Sequence, residues 1–519
     1  MIKIQKITRY KNKQYIKINI INLIKINKKL TYNNYNDMYS LFIFRRDLRL
    51  IDNNGLLYAL KNYKNVIPIF IYTPEQIGDK NKYRSENAIL FMNECLEELL
   101  QDCKKYNSYL YRFYGTNIDI LKKIIKNIEI DSIITNMDYT PYAIKRDKEI
   151  SKLCKDNNIN FHHVEDYLLA PIGTFCKANT GDVKEPYKVF TPFKNYLYSN
   201  DKYINKPDNK KSLFKNLVES KGKHHKILMD MVIKKGIQYY VDYTDKDKSV
   251  VTKTILKGGR KQALNKISVS NINKHKKYNV DRQFMENYTT QLSAYIKFGC
   301  VSIREVFWRF KDILGYKNDL LSQLVWREFY FYIGYYFPHV LKGHNYNRNM
   351  DHINKKWIKS KLELNAWRDG NTGYPIVDAG MRELITTGYM HNRSRLITAN
   401  FLNRILGQDW RKGEEYFAKK LRDYDPLVNN GNWQWISSTG VDTKPSSQRI
   451  FNPWSQSERY DPDCVYIKKW IPELKNVENN HIHNWDLHFD KEEYKNINYT
   501  SPIVDYKKAR ERSLKMYKK

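Results

Sequence analysis

The 519-residue chain has only six cysteines, Cys95, Cys103, Cys154, Cys176, Cys300 and Cys464, scattered without a CxxC or any paired metal-ligand spacing. That pattern argues against a zinc or iron–sulfur site and reads as reduced thiols in a cytosolic or nuclear setting. His481 and His483 form a lone HxH with no supporting cluster and read as solvated side chains. Neither a P-loop nor a GxGxxG occurs, so the chain offers no standard nucleotide cradle. No apolar run reaches the roughly 18 residues a helical membrane span needs. Acidic residues are scarce as well: 56 Asp+Glu stand against 90 Lys+Arg, a net charge of +34. Such an excess points to an acidic partner, most commonly a nucleic-acid backbone. A coding bias toward Lys, Asn, Ile and Tyr would equally place many of these lysines on solvated surface.

What the chain does have is apolar payload. Its 41% hydrophobic and 14% aromatic residues suffice for folded cores, and its length suggests about two to four domains. Residues 1–37 are broken by Lys every few positions and lack the apolar core of a signal peptide. They read as a basic, disordered extension, or as translation upstream of a start at Met38. From Tyr39 the apolar runs YSLFIF (39–44), VIPIFIY (66–72), YLYRFY (109–114), SIIT (132–135) and NFHHV (160–164) alternate with helical stretches. The alternation predicts an α/β domain over 38–168 with a doubly wound parallel sheet. Ligands of such sheets bind beyond the carboxyl ends of the strands, where FRRDLRLIDN (44–53) falls. Its arginines suit a functional rim or buried ion pairs with Asp47 and Asp52. Residues 169–277, irregular, Lys-rich and punctuated by Pro171, Pro186, Pro192 and Pro207, read as an interdomain linker with some helix. From Tyr278 strand signals nearly vanish. Segments 302–314, 320–337, 378–388 and 393–407 carry apolar residues at i, i+3, i+4 and i+7, predicting an all-helical domain over 278–519.

The helical half sets polar residues among apolar ones. Asn392, Arg393 and Arg395 lie in YMHNRSR, and Asp423, Asp425, Asn429 and Asn430 precede two tryptophans in KLRDYDPLVNNGNWQW. A helix-buried arginine needs a carboxylate, and Arg395 with Asp423 is the economical pair. FRRDLRLIDN, TTQLSAYIKFGCVS, WREFY, TGYPIVDAGMR, YMHNRSR, NNGNWQW and RIFNPW stand in the same order as in the photolyase/cryptochrome family. The chain resembles that family, and is most similar to its class I-type cyclobutane pyrimidine dimer photolyases, from Tyr39 to about Trp485. The resemblance implies an α/β antenna domain, a long linker and a helical domain holding one FAD. It implies that Thr289, Thr290 and Ser293 bond the FAD phosphates, with Gln291, Leu292, Tyr278 and Arg327 nearby. It sets Asn392 beside the folded cofactor, the Arg395–Asp423 pair over the isoalloxazine, Asp425 at the ring edge and Asn429 facing flavin N5. Trp433, Trp410 and Trp357 match a relay that passes electrons from the surface to the photoexcited flavin.

A lesion must leave the duplex to reach a buried cofactor. By resemblance Trp326 and Trp435 are stacking walls, Arg282, Arg393 and Arg449 contact the lesion or flanking phosphates, and Gln323 and Leu396 line the lesion pocket. Gln323 stands where Glu is usual, Leu396 where Met is common, and Ser446 and Ser447 in a stretch that is usually aromatic. The Gln323 amide can bond a base edge but carries no charge. His391 is the only histidine of YMHNRSR, so the histidine pair of the (6-4) branch is missing. The expected activity is therefore light-driven splitting of cyclobutane pyrimidine dimers by reduced FAD, with a blue-light cryptochrome receptor or a (6-4) photolyase as alternatives. NMDYTPYAIKRD (136–147), with Asn136, Tyr139 and Arg146, resembles the lining of the family's second-chromophore site for a deazaflavin, flavin or folate. UV-damaged DNA is the implied partner of a monomeric, intracellular protein, with no metal and no membrane.

Overall fold

The computed structural model describes residues 38–177, 185–233, 256–441 and 450–518. The 1–37 extension, Ser446, Ser447 and Arg449 lie outside them. Strands β1 (Tyr39–Phe44), β2 (Val66–Tyr72), β3 (Tyr111–Tyr114), β4 (Ile130–Asn136) and β5 (Asn160–Val164) form one sheet in the order β3-β2-β1-β4-β5, parallel throughout. β2 is buried at every position, as a sheet covered on both faces requires. Along β1, Phe42 and Phe44 face a core shared with α1 (Asn54–Asn62) and α2 (Glu86–Lys104). Leu41 and Ile43 face the opposite core, shared with α3 (Asn117–Asn127) and α4 (Pro141–Asp156). Each helix opens on a side chain, Asn53, Ser85, Thr116 or Thr140, that accepts a bond from its first turn; each such cap stabilises by about 1 kcal/mol.

Strand order reverses between β1 and β4, which opens a crevice past their carboxyl ends. The arginines of FRRDLRLIDN fill it as buried ion pairs, with different partners from those expected. Arg45 meets Asp147 at 2.7 Å, Arg49 meets Asp166 at 2.7 Å, and Arg46 crosses to Asp425 of the helical domain at 2.5 Å. Asp52 pairs instead with Arg304 at 3.1 Å. Asp47 bonds the Arg45 amide and Asn136, and burial pushes its carboxyl up to about 6. The segment is the seam between the domains.

Between them, α5 (Phe190–Ser199) buries Phe193 and Leu197, and the Val218 amide donates to Val66 O at 2.9 Å. The helical domain includes α6 (Ser293–Lys297), α7 (Ile303–Leu314), α8 (Asp319–Tyr336), α9 (Pro375–Thr387), α10 (Asn392–Asn400), α11 (Trp410–Lys420), α12 (Pro426–Ile436) and α13 (Tyr506–Tyr517), with further helices and turns between them. The helix expected over 393–407 is not uniform: α10 passes at Phe401 into a π-helical turn, Phe401–Ile405. The wider turn lets two consecutive polar residues face α13. Asn403 accepts from the Tyr517 hydroxyl at 2.6 Å, and the Arg404 guanidinium stacks 3.5 Å from the Tyr517 ring centroid.

Candidate FAD and DNA-lesion site

A cavity of about 510 Å³ opens among α6, α8, α10 and α12 and is lined by Tyr278, Arg282, Thr289–Ser293, Gln323, Trp326, Arg327, Asn392, Arg395, Leu396, Asp423, Asp425, Asn429, Trp433 and Trp435. Four dispersed motifs thus meet in one place. Arg393 is not among the lining residues; it stacks 4.0 Å from the Tyr460 ring centroid and donates to Gln283. Trp410 and Trp357 lie outside the lining.

Local structure sets each polar group. Asp425 caps α12, its Oδ1 accepting from the Leu427 and Val428 amides while Oδ2 holds Arg46. Burial opposes its charge, yet Arg46, Lys297 and Arg327 together hold its carboxyl below the usual range. Asp425 is therefore largely committed within the protein, and only its remaining lone pairs are available to a ring edge. Arg395 donates to Asp423 Oδ2 at 2.9 Å and through Nε to Met390 O, so the expected ion pair is present. Ser293 departs from expectation: its hydroxyl donates to the same Asp423 oxygen at 2.6 Å. Asn429 donates its amide nitrogen to the Glu414 carbonyl at 3.2 Å. This fixes the amide's orientation while using one of its two N–H groups, and its oxygen accepts no bond among the described residues.

Several polar atoms here are buried and have no hydrogen-bond partner among the described residues: Gln291 Nε2, Arg327 Nη1 and Asp423 Oδ1. Such atoms are costly unless a ligand satisfies them. Gln291 also holds a left-handed backbone at φ 53°, strained for a side chain of its size. Arg327 lies 3.9 Å from Glu328, too far for a hydrogen bond, and burial pushes the Glu328 carboxyl up to about 8. Lys297, absent from the sequence-based assignment, also lines the cavity. Burial and the neighbouring Arg46 push its amine down to about 8. Its signal was spacing: four residues after Ser293, it shares that residue's face of α6. Two inward cations, unsatisfied donors and the apolar walls Phe310, Leu324 and Phe417 fit a ligand with phosphates and flat rings.

On α8, Trp326 stacks on Phe190 of α5 at 3.5 Å and 7°, so the linker helix backs one face of the indole. Gln323 donates weakly to Asp319 O at 3.3 Å, and Arg282 lies 5.6 Å from the Tyr278 ring centroid. Of the expected relay, Trp433 reaches the cavity, Trp410 is fully buried, and Trp357 is 9% exposed and meets Tyr517 edge-on at 6.1 Å. The rings packed edge-on against Trp433 are Phe417 at 5.0 Å and Trp367 at 6.3 Å; Trp367 was not anticipated. The residues expected at a second-chromophore site are committed internally. Asn136 bonds Asp47 and Asn53, Tyr139 donates to Glu165 at 3.3 Å, and Arg146 pairs with Asp147 at 2.9 Å.

A parallel α/β domain seamed to a helical domain with a deep, cation-lined cavity defines a two-domain protein for a phosphate-bearing aromatic cofactor. Family comparison makes the class specific. The family model described as the FAD binding domain of DNA photolyase matches residues 320–519, and that described as DNA photolyase matches residues 40–208. The deoxyribodipyrimidine photo-lyase of Buchnera aphidicola subsp. Baizongia pistaciae is 35% identical over 498 residues, covering 92% of this chain and 98% of that one. An archaeal photolyase from Sulfolobus tokodaii, solved with two FAD molecules, is 36% identical with a TM-score of 0.75, over 92% of this chain and 99% of its own. The cryptochrome of Synechocystis sp. PCC6803 shares the fold with a TM-score of 0.79 and 25% identity, over 92% and 99% of the two chains. The chain belongs to the DNA photolyase family.

Proposed function

We propose that this chain binds UV-damaged DNA and splits cyclobutane pyrimidine dimers with light, using FAD held in the cavity. One observation carries the reading: a single cavity joins unsatisfied polar groups suited to FAD with Trp326 and Trp435, aromatic surfaces suited to an unstacked base. When bound, reduced FAD supplies the light-driven electron that opens the two ring bonds of the dimer and is returned once they have parted.

The chain's own residues bind and orient. Arg327, Lys297, Gln291, Thr289 and Thr290 would hold the phosphates, and Asp423 and Asp425 order the cations Arg395 and Arg46. Asn429, its nitrogen tied to Glu414, offers an oxygen toward a protonated N5. Trp326, backed by Phe190, presents its remaining face to the dimer, and Gln323 meets a pyrimidine edge as a neutral donor and acceptor. Arg282 and Arg393 would take the flanking phosphates, and Trp433, Trp410 and Trp357 would pass electrons toward the cavity. His391 supports cyclobutane over (6-4) repair. It is fully buried, its Nδ1 accepts the Arg393 amide at 3.1 Å, and burial beside Arg393 and Arg395 pushes it down to about 4. A neutral imidazole so placed is no proton donor to a lesion.

We place the protein with DNA inside the cell, as a monomer; among the described residues no helix is long and apolar enough to cross a membrane. The test offers the illuminated, FAD-reduced protein two duplexes, one with a cyclobutane thymine dimer and one with a (6-4) product. Restoration of the first alone is expected; restoration of the second alone overturns the lesion assignment.

A further inference from the structure

Of the six buried cysteines, two meet across the seam between the domains. Cys95 lies on α2 of the α/β domain, and Cys300 follows α6, whose preceding loop and helix line the cavity. Their sulfurs are 3.1 Å apart although 205 residues separate them. The other sulfurs with close polar neighbours meet different groups: Cys176 the Tyr336 hydroxyl at 3.4 Å, and Cys464 His483 Nε2 at 3.4 Å.

Both sides of the pair are braced. A third strand of chain, Gly258–Gly259, runs against α2, where the Gly259 amide donates to Cys95 Sγ at 3.2 Å and the Gly258 amide to Glu94. A Cβ at Gly258 would lie 2.5 Å from Phe91 O and 3.0 Å from Cys95 Sγ, so only glycine permits this approach. Tyr295 of α6 donates to Lys257 O at 2.7 Å, and Arg260 donates to Cys300 O at 2.8 Å while pairing with Glu305 at 2.7 Å. The two sulfurs are thus held facing each other by groups that a small movement would not disturb.

We infer that Cys95 and Cys300 are the site of an oxidative cross-link that joins the α/β domain to the wall of the cofactor cavity. Closure needs about 1 Å of further approach to reach the length of a sulfur–sulfur bond. Each thiol gives up its hydrogen and the sulfurs share the new bond. The two protons and two electrons pass to the oxidant, a low-molecular-weight disulfide that leaves as two thiols, or a diazene whose N=N becomes HN–NH. Burial, with Cys300 adjacent, holds the Cys95 thiol protonated. The bond therefore forms slowly, as the domain seam opens, and once formed resists reduction for the same reason.

The test treats the folded, FAD-bound protein with the diazene diamide, blocks remaining thiols under denaturing conditions, and maps non-reduced peptides by mass spectrometry. An intramolecular peptide joining Cys95 to Cys300 is expected, absent in Cys300→Ser and retained in Cys154→Ser. Oxidised protein should also release FAD more slowly in urea than reduced protein. If the folded chain yields no such peptide, or links other cysteines as readily, the inference fails. The peptide map of the unsubstituted chain decides this even if Cys300→Ser folds poorly.

Discussion

Asn429 donates one N–H to the Glu414 carbonyl, and exchanging it for a carboxylate puts a charge where we propose that the cofactor's N5 lies. Asn429→Asp should keep FAD bound yet shift the pH at which the one-electron-reduced flavin takes up a proton, a change read from its absorption spectrum. Arg395 and Asp423 form a mostly buried pair, with side chains 25% and 6% exposed. Arg395→Ala leaves Asp423 facing the cavity without its cation, and should cost about 3 kcal/mol in urea unfolding together with most of the FAD content. That pair was legible in the sequence, because motif order brought its two members into one site. Arg46 and Asp425 were not, since 379 residues separate them and only the docking of the two domains joins them. The same docking explains why FRRDLRLIDN reads as a rim but folds as a seam. Lys297 was missed because its spacing from Ser293 does not set it apart from the many lysines of a basic chain until its burial is known.

At the scale of elements, α5 and α12 matter most. Phe190 of α5 backs Trp326 and also meets Phe329 edge-on at 5.9 Å. Phe190→Ala should weaken binding of dimer-containing DNA by about 1 kcal/mol while FAD content stays unchanged, as competition binding would show. Asp425 both caps α12 and anchors Arg46. Asp425→Ala loses a cap of about 1 kcal/mol and leaves the buried Arg46 with Asp138 alone, at 3.7 Å, at about 3 kcal/mol, whereas Asp425→Asn keeps the cap. The two variants should separate in thermal unfolding. Strands β1 and β2 begin and end where the apolar runs do, because continuous Val, Ile and aromatic residues leave no other period. The π-turn at Phe401–Ile405 was illegible: its cause is the Tyr517 hydroxyl and ring, far along the chain, which draw Asn403 and Arg404 to one side.

The whole molecule carries an unusual stock of buried carboxyls that burial pushes upward, Asp378 to about 6 and Glu383 and Glu414 to about 7. A carboxyl with a raised pKa in the folded state keeps its proton while the unfolded chain releases it, so folding stability falls as pH rises between the two values. Each group contributes a slope of up to about 1.4 kcal/mol per pH unit, between about pH 4 and 6 for Asp378 and between about pH 4.5 and 7 for the two glutamates. Glu383→Gln should flatten that decline, as urea unfolding at pH 5.5 and 7.5 would reveal. The net charge of +34 acts at the same scale. Removing residues 1–37 should weaken binding to undamaged DNA and reduce its salt dependence, with dimer discrimination nearly unchanged, whereas Arg393→Ala should reduce discrimination. The two-domain plan was readable because short apolar runs alternating with helical stretches give way, from Tyr278 onward, to helical periodicity alone. The cavity itself required the packing of all four motif-bearing segments.

The central claim is that light, acting through FAD in this cavity, splits a cyclobutane dimer that the protein has bound. The decisive measurement forms the complex in darkness, with FAD fully reduced and dimer-containing DNA bound, and counts intact dimers before and after blue illumination. Loss of the dimers in the light, with none lost in the dark, is the predicted result. Bound dimers that survive saturating illumination would contradict it.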